Sequence, residues 1–135
     1  MSDLLASDAA FNVDEQVLLR EILDAMIPAH GERPSAADDL IFADFLRTAA
    51  PMAEQLRQVL HRAREDGIDA LPGMRTDAVR TLVNCAVQCY YRDDRVLTAV
   101  GAEPRAPHPD GFEVEAGDWS LLDPVRARGT IYREV

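Results

Sequence analysis

The sequence predicts an all-α domain, and three observations carry that expectation. Apolar residues recur every three or four positions through long stretches of the first hundred residues, which is the spacing of a one-faced helix. Nothing there alternates with period two over a useful length, and no Asn-Gly or Asp-Gly pair is flanked by strand-like runs. No internal repeat is present, which argues against a stacked-repeat architecture. The expected layout is a flexible N-terminal arm over residues 1–11, a helical domain of about five helices over 12–101, and a long irregular Pro- and aromatic-rich tail over 102–135. The tail is expected to pack on the domain or on a partner subunit.

The arm mixes Ser, Asp and Ala without a sustained period. Asn12 with Glu15 three residues on is a capping box that starts the first helix. The apolar face of that helix is Leu18, Leu19, Ile22, Leu23, Ala25 and Met26, and Pro28 ends it. After the AHGERP loop, Ser35 with Asp38 marks the next start, and Leu40, Ile41, Phe42, Phe45 and Leu46 form a short second helix. Pro51 suits the first turn of a third, where its missing N–H costs nothing, and Leu56, Val59, Leu60 and Ala63 face inward until Gly67. IDALPGM then leads into the strongest pattern in the chain, TDAVRTLVNCAVQCYYRDDRVLTAVG. Thr76 is the expected N-cap of this core helix, Asp77 stands in its first turn, and Arg92 lies near the end where a cation suits the helix dipole. Val79, Leu82, Val83, Ala86, Val87 and Tyr90 form the face expected to be buried, so aspartate at Leu82 or Val83 is expected to unfold the domain. A short fifth helix from Arg95 to Val100 presents Val96, Leu97 and Val100 before Gly101 stops it.

The 135 residues fit one domain, able to bury roughly two-thirds of its unfolded surface. With 47% hydrophobic and 28% charged residues the chain is too apolar for wholesale disorder. The net charge of -10 is concentrated early, with 3 basic against 10 acidic side chains in residues 1–50. An acidic chain without a basic face does not neutralise phosphates, which excludes nucleic acid as the expected partner and disfavours anionic membranes. All 14 basic residues are arginine, so a lysine Schiff base and the lysine of a phosphate-binding loop are both excluded. The N-terminal residues show no positive region, twin arginine or apolar run of signal length, and no stretch approaches the ~20 apolar residues of a membrane span. The expected location is the cytoplasm.

No reaction is legible in the residues themselves. His30, His61 and His108 have no metal-ligand spacing among themselves or with the cysteines. Cys85 and Cys89 lie one turn apart on a helix, with Cα atoms about 6 Å apart on a rigid rod, and are read as free, buried core thiols. The seven glycines never cluster into a dinucleotide fingerprint, so no cofactor is expected in this chain. The carboxylate pairs Asp38–Asp39 and Asp93–Asp94 diverge on a helix and serve as caps and solvated charge. The tail carries Pro104, Pro107, Pro109 and Pro124 together with the one tryptophan. Phe112, Trp119, Leu121, Leu122 and Tyr132 either strap it over its own helices or anchor a partner. Trp, Tyr and Arg are the types that anchor interfaces, and Asp123-Pro124 is expected to set a turn that aims Arg126 and Arg128 to one side. With Tyr90 and Tyr91 of the core helix, these residues make up the expected partner interface.

The segments LLREILDAMIPAHGERPSAADD, GIDALPGM, YYRDDRVLTAVG and PDGFEVEAGDWSLLDPVRAR resemble the gluconate 2-dehydrogenase subunit 3 family over most of residues 17 to 128, with Ile27-Pro28 and Tyr90-Tyr91 the most telling steps. The resemblance implies a small, all-α, chaperone-like subunit that stabilises or helps export a large flavin-dependent dehydrogenase of the glucose-methanol-choline type. FAD would belong to that partner, with or without a cytochrome subunit as its electron acceptor, and no catalytic residue is implied here. The chain departs from exported members by lacking a twin-arginine signal, which leaves a cytoplasmic complex or export on a partner's signal. Two other readings stay open. One is a free-standing small-molecule enzyme or binding protein with a pocket between core helix and tail, using Tyr90, Tyr91 and His108. The other is a homodimeric helical module.

Overall fold

The computed structural model describes residues 10–105, 110–111 and 117–130. The expected all-α fold is what it shows, with no strand among the described residues. The chain divides into two units, Met1–Pro104 and Arg105–Val135.

The first unit runs α1 (Val13–Met26), α2 (Asp39–Ala49), α3 (Ala53–Asp66), α4 (Asp77–Arg92) and α5 (Asp94–Ala99). A 3-10 turn, Ala50–Met52, joins α2 to α3 with Pro51 in it, and a longer one, Ile68–Gly73, links α3 to α4. The starts of α1, α2, α4 and α5 have the residue type that satisfies unpaired N–H groups, whereas α3 follows its 3-10 turn without a side-chain cap. Asn12 and Glu15 close the capping box on α1, and the side chains of Asp38, Thr76 and Asp93 accept from backbone N–H groups at the starts of α2, α4 and α5. Gly67 ends α3 at a φ of 86°, a left-handed conformation that a residue without Cβ adopts freely. Ser35, read as part of the second start, does different work. Its hydroxyl donates to Asp24 at 2.5 Å and accepts from the backbone N–H of Ala37 at 3.0 Å, pinning the loop to α1.

The core helix is α4, which packs against both α2 and α3. Its buried face is Ala78, Leu82, Cys85, Ala86, Cys89 and Tyr90, which corrects the expected one. Val83 and Val87 are 38% and 39% exposed and Val79 is half-buried, so the inward stripe is rotated toward the small residues. The physical reason is the double contact: a helix gripped from two sides approaches both neighbours closely where its side chains are small, while β-branched valines fit at the seam edges. The two cysteines are free and buried, as expected. Leu19, Ile22 and Leu23 of α1, Phe45 of α2 and Leu56, Val59 and Leu60 of α3 complete the centre, with Val96 from α5.

Four other expectations are corrected. Phe11 is 1% exposed and belongs to the core, which removes it from the expected arm, of which residues 1–9 lie outside the described residues. Leu40 is exposed at the start of α2, which instead extends its buried face to Ala49, and Val100 is exposed where only Val96 of its helix is buried. The tail is not wholly irregular, since it contains a 3-10 turn, Trp119–Leu122, that continues into α6 (Asp123–Ala127).

The rotation of α4 is testable by thermal unfolding followed by circular dichroism. Leu82→Asp places an unpaired carboxylate at a site 2% exposed and costs several kcal/mol, comparable to a total of ~5–15 kcal/mol, so it unfolds the unit. Val83→Asp reaches water and lowers stability by less than about 1 kcal/mol. Equal damage from the two would contradict this orientation.

Candidate functional site

At the end of α4 the chain reads Tyr90-Tyr91-Arg92-Asp93-Asp94-Arg95, and all but one of these side chains have a specific partner or contact. Tyr90 points inward and is 3% exposed, and its hydroxyl donates to the Pro34 carbonyl oxygen at 3.0 Å. Burial raises its pKa, which keeps the phenol a donor. Tyr91 stands edge-on to the Tyr90 ring with centroids 5.3 Å apart and is half exposed. Arg92 reaches α2, donating to Asp44 at 2.9 Å and to the Thr48 hydroxyl at 2.9 Å, with the Cys89 sulfur at 3.4 Å.

Arg95 makes the most connected contact. Its guanidinium meets Asp38 at 2.6 and 3.3 Å and Asp93 at 2.9 and 3.0 Å. Those two carboxylates are the N-caps of α2 and α5, so one planar fork holds two helix starts together. Hydrogen bonds from Arg95 hold the pKa of Asp38 and of Asp93 below the usual carboxylate range, against the opposing effect of burial. The expected capping role is seen at Asp38 and Asp93; Asp39 is exposed and paired with Arg20 at 2.9 Å.

The loop between α1 and α2 is fastened on both sides. His30 and Arg33 exchange backbone hydrogen bonds at 3.0 Å across a turn with Gly31 at a φ of 58°. Arg20 donates to the Ala37 carbonyl at 2.7 Å and lies 4.3 Å over the Phe42 ring. At the other end of α1, Arg57 donates to Glu15 at 2.9 Å and to the Ala10 carbonyl at 2.7 Å. Burial would raise the Glu15 pKa, but the Asn12 N–H and Arg57 outweigh it and leave it lowered.

In the second unit, Trp119, Leu121, Leu122 and Val125 are all exposed, Trp119 at 69%. Trp119, Leu122 and Val125 recur every third residue through the 3-10 turn and α6, so they share one side. Asp118 caps the turn, accepting from the Ser120 N–H at 3.0 Å and hydroxyl at 2.6 Å. Pro124 occupies the first turn of α6, where a loop turn was expected. Arg126 is paired with Asp123 at 3.5 Å, and Arg128 follows α6 at an exposed position.

Of the residues expected at a partner interface, Tyr90 is withdrawn as a contact surface because it is buried and its hydroxyl is engaged; the small-molecule reading loses the same hydroxyl. Tyr91, Trp119, Leu121, Leu122, Pro124, Arg126 and Arg128 are exposed, while Phe112, Tyr132 and His108 lie outside the described residues. Sequence reasoning missed Arg20, Arg57 and Arg95. Their partners lie 17 to 57 residues away, and no local spacing encodes them.

Among the described residues no three His, Cys, Asp or Glu side chains gather as a metal site, and no helix is long and apolar enough to cross a membrane. An apolar groove of 360 Å³ runs between α1, the Ile68–Gly73 link and α4. Comparison with protein-family models, with curated proteins and with solved structures finds no match to this chain.

The Arg95 fork makes a signed prediction. Groups with lowered pKa stabilise the fold above their unfolded values, and that stability is lost as pH falls through the folded ones. Arg95→Gln should cost about 1 kcal/mol at neutral pH by urea titration, since partly exposed pairs are each worth ~0.2–1 kcal/mol. The gap from the parent should narrow as pH falls below the usual carboxylate range and Asp38 and Asp93 become protonated. A gap independent of pH would show that the fork is not stabilising through charge.

A second prediction separates the tyrosines. Tyr90→Phe strands the Pro34 carbonyl and costs about 0.5–1.5 kcal/mol of stability, whereas Tyr91→Ala, at a half-exposed position, costs less. Chemical denaturation of both variants gives the order, and the reverse order would contradict the assignment.

Proposed function

We propose that this protein is a non-catalytic small subunit that stabilises the catalytic flavoprotein of a dehydrogenase acting on a sugar, glycoside or other alcohol. The partner class comes from the resemblance carried by residues 18–39, 67–74, 90–101 and 109–128. One observation carries the docking role: Trp119, Leu122 and Val125 are exposed along one side of a capped turn, with Leu121 also exposed. Apolar surface gathered in this way is costly to leave in water, and Trp with neighbouring Arg is the composition of an interface anchor. A supporting observation is that two of the resembling segments are tied to each other, through Tyr90 to Pro34 and Arg95 to Asp38.

In this reading FAD is held by the large subunit, with or without a cytochrome subunit to take the electrons, and the complex works in the cytoplasm or leaves it on a partner's signal. This chain supplies surface and no chemistry. Coexpression tests it. A flavin-dependent dehydrogenase encoded beside this gene should be soluble, flavin-loaded and active only when this chain is present. A large subunit equally soluble and active alone would contradict the role.

Trp119→Ala localises the anchor. Losing such a residue commonly costs ~2–4 kcal/mol, roughly thirtyfold to a thousandfold in affinity, so copurification of the flavoprotein should fail. The isolated chain should keep its helicity and melting temperature, because Trp119 is already largely in water. Intact copurification with a lowered melting temperature would assign the side chain to folding instead.

A further inference from the structure

No further inference is drawn: the strongest candidate, the 360 Å³ apolar groove that Ile22, Met26, Ile68, Leu71, Val79 and Val83 line between α1, the link and α4, is an unpartnered face, and nothing in the structure shows what covers it.

Discussion

The helical unit depends on α4 being gripped from two sides. A helix that packs on one neighbour needs one apolar stripe, whereas α4 meets both α2 and α3 and must stay narrow where they converge. Ala78, Cys85, Ala86 and Cys89 supply that narrowness, and Leu82 and Tyr90 supply bulk. The cysteines are therefore packing residues: burial raises the pKa of both, which keeps them as neutral thiols at physiological pH. All buried residues among those described fall between Phe11 and Val96, in the first unit.

Arginine does at the surface what small residues do inside. Arg20, Arg57, Arg92 and Arg95 each reach a carbonyl, a carboxylate or a hydroxyl elsewhere in the fold, at separations of 17 to 57 residues along the chain. A planar guanidinium with five donors can serve several acceptors at once, which a lysine ammonium on a flexible stem does less well. This gives a physical use to a composition in which all the basic residues are arginine. It also explains how a chain of net charge -10 keeps helix-capping aspartates ionised at its seams.

Local chemistry was legible in the sequence and long-range chemistry was not. The capping box at Asn12 and Glu15, the Thr76 cap, the stop at Gly67 and the inward face of α3 follow from spacing and residue type, and the structure has them; of the expected α1 face Leu19, Ile22 and Leu23 are buried, Leu18 and Met26 are partly buried, and Ala25 is exposed. The α4 face was misplaced because periodicity weighs large apolar residues and cannot see that two neighbours favour small ones. Phe11 was misplaced because a single aromatic ahead of a cap carries no period. At the candidate interface, Trp119 and its apolar neighbours stood out by type, but the capped turn that aligns them depends on Asp118 accepting from Ser120, a local hydrogen bond readable only in retrospect. Tyr90 and Tyr91 looked equivalent in sequence; one residue of register, roughly 100° around the helix, made one a core residue and left the other half exposed.

With α4 at the centre of the described buried residues, the first unit is expected to fold without the second. The most direct measurement is equilibrium unfolding of a chain comprising residues 10–104, followed by circular dichroism and by tryptophan-independent probes such as tyrosine fluorescence. The prediction is a helical protein that unfolds in one cooperative transition, with the Tyr90 environment lost at the same midpoint as the helices. A fragment that is unfolded in water, or that loses its tyrosine signal well before its helicity, would contradict it.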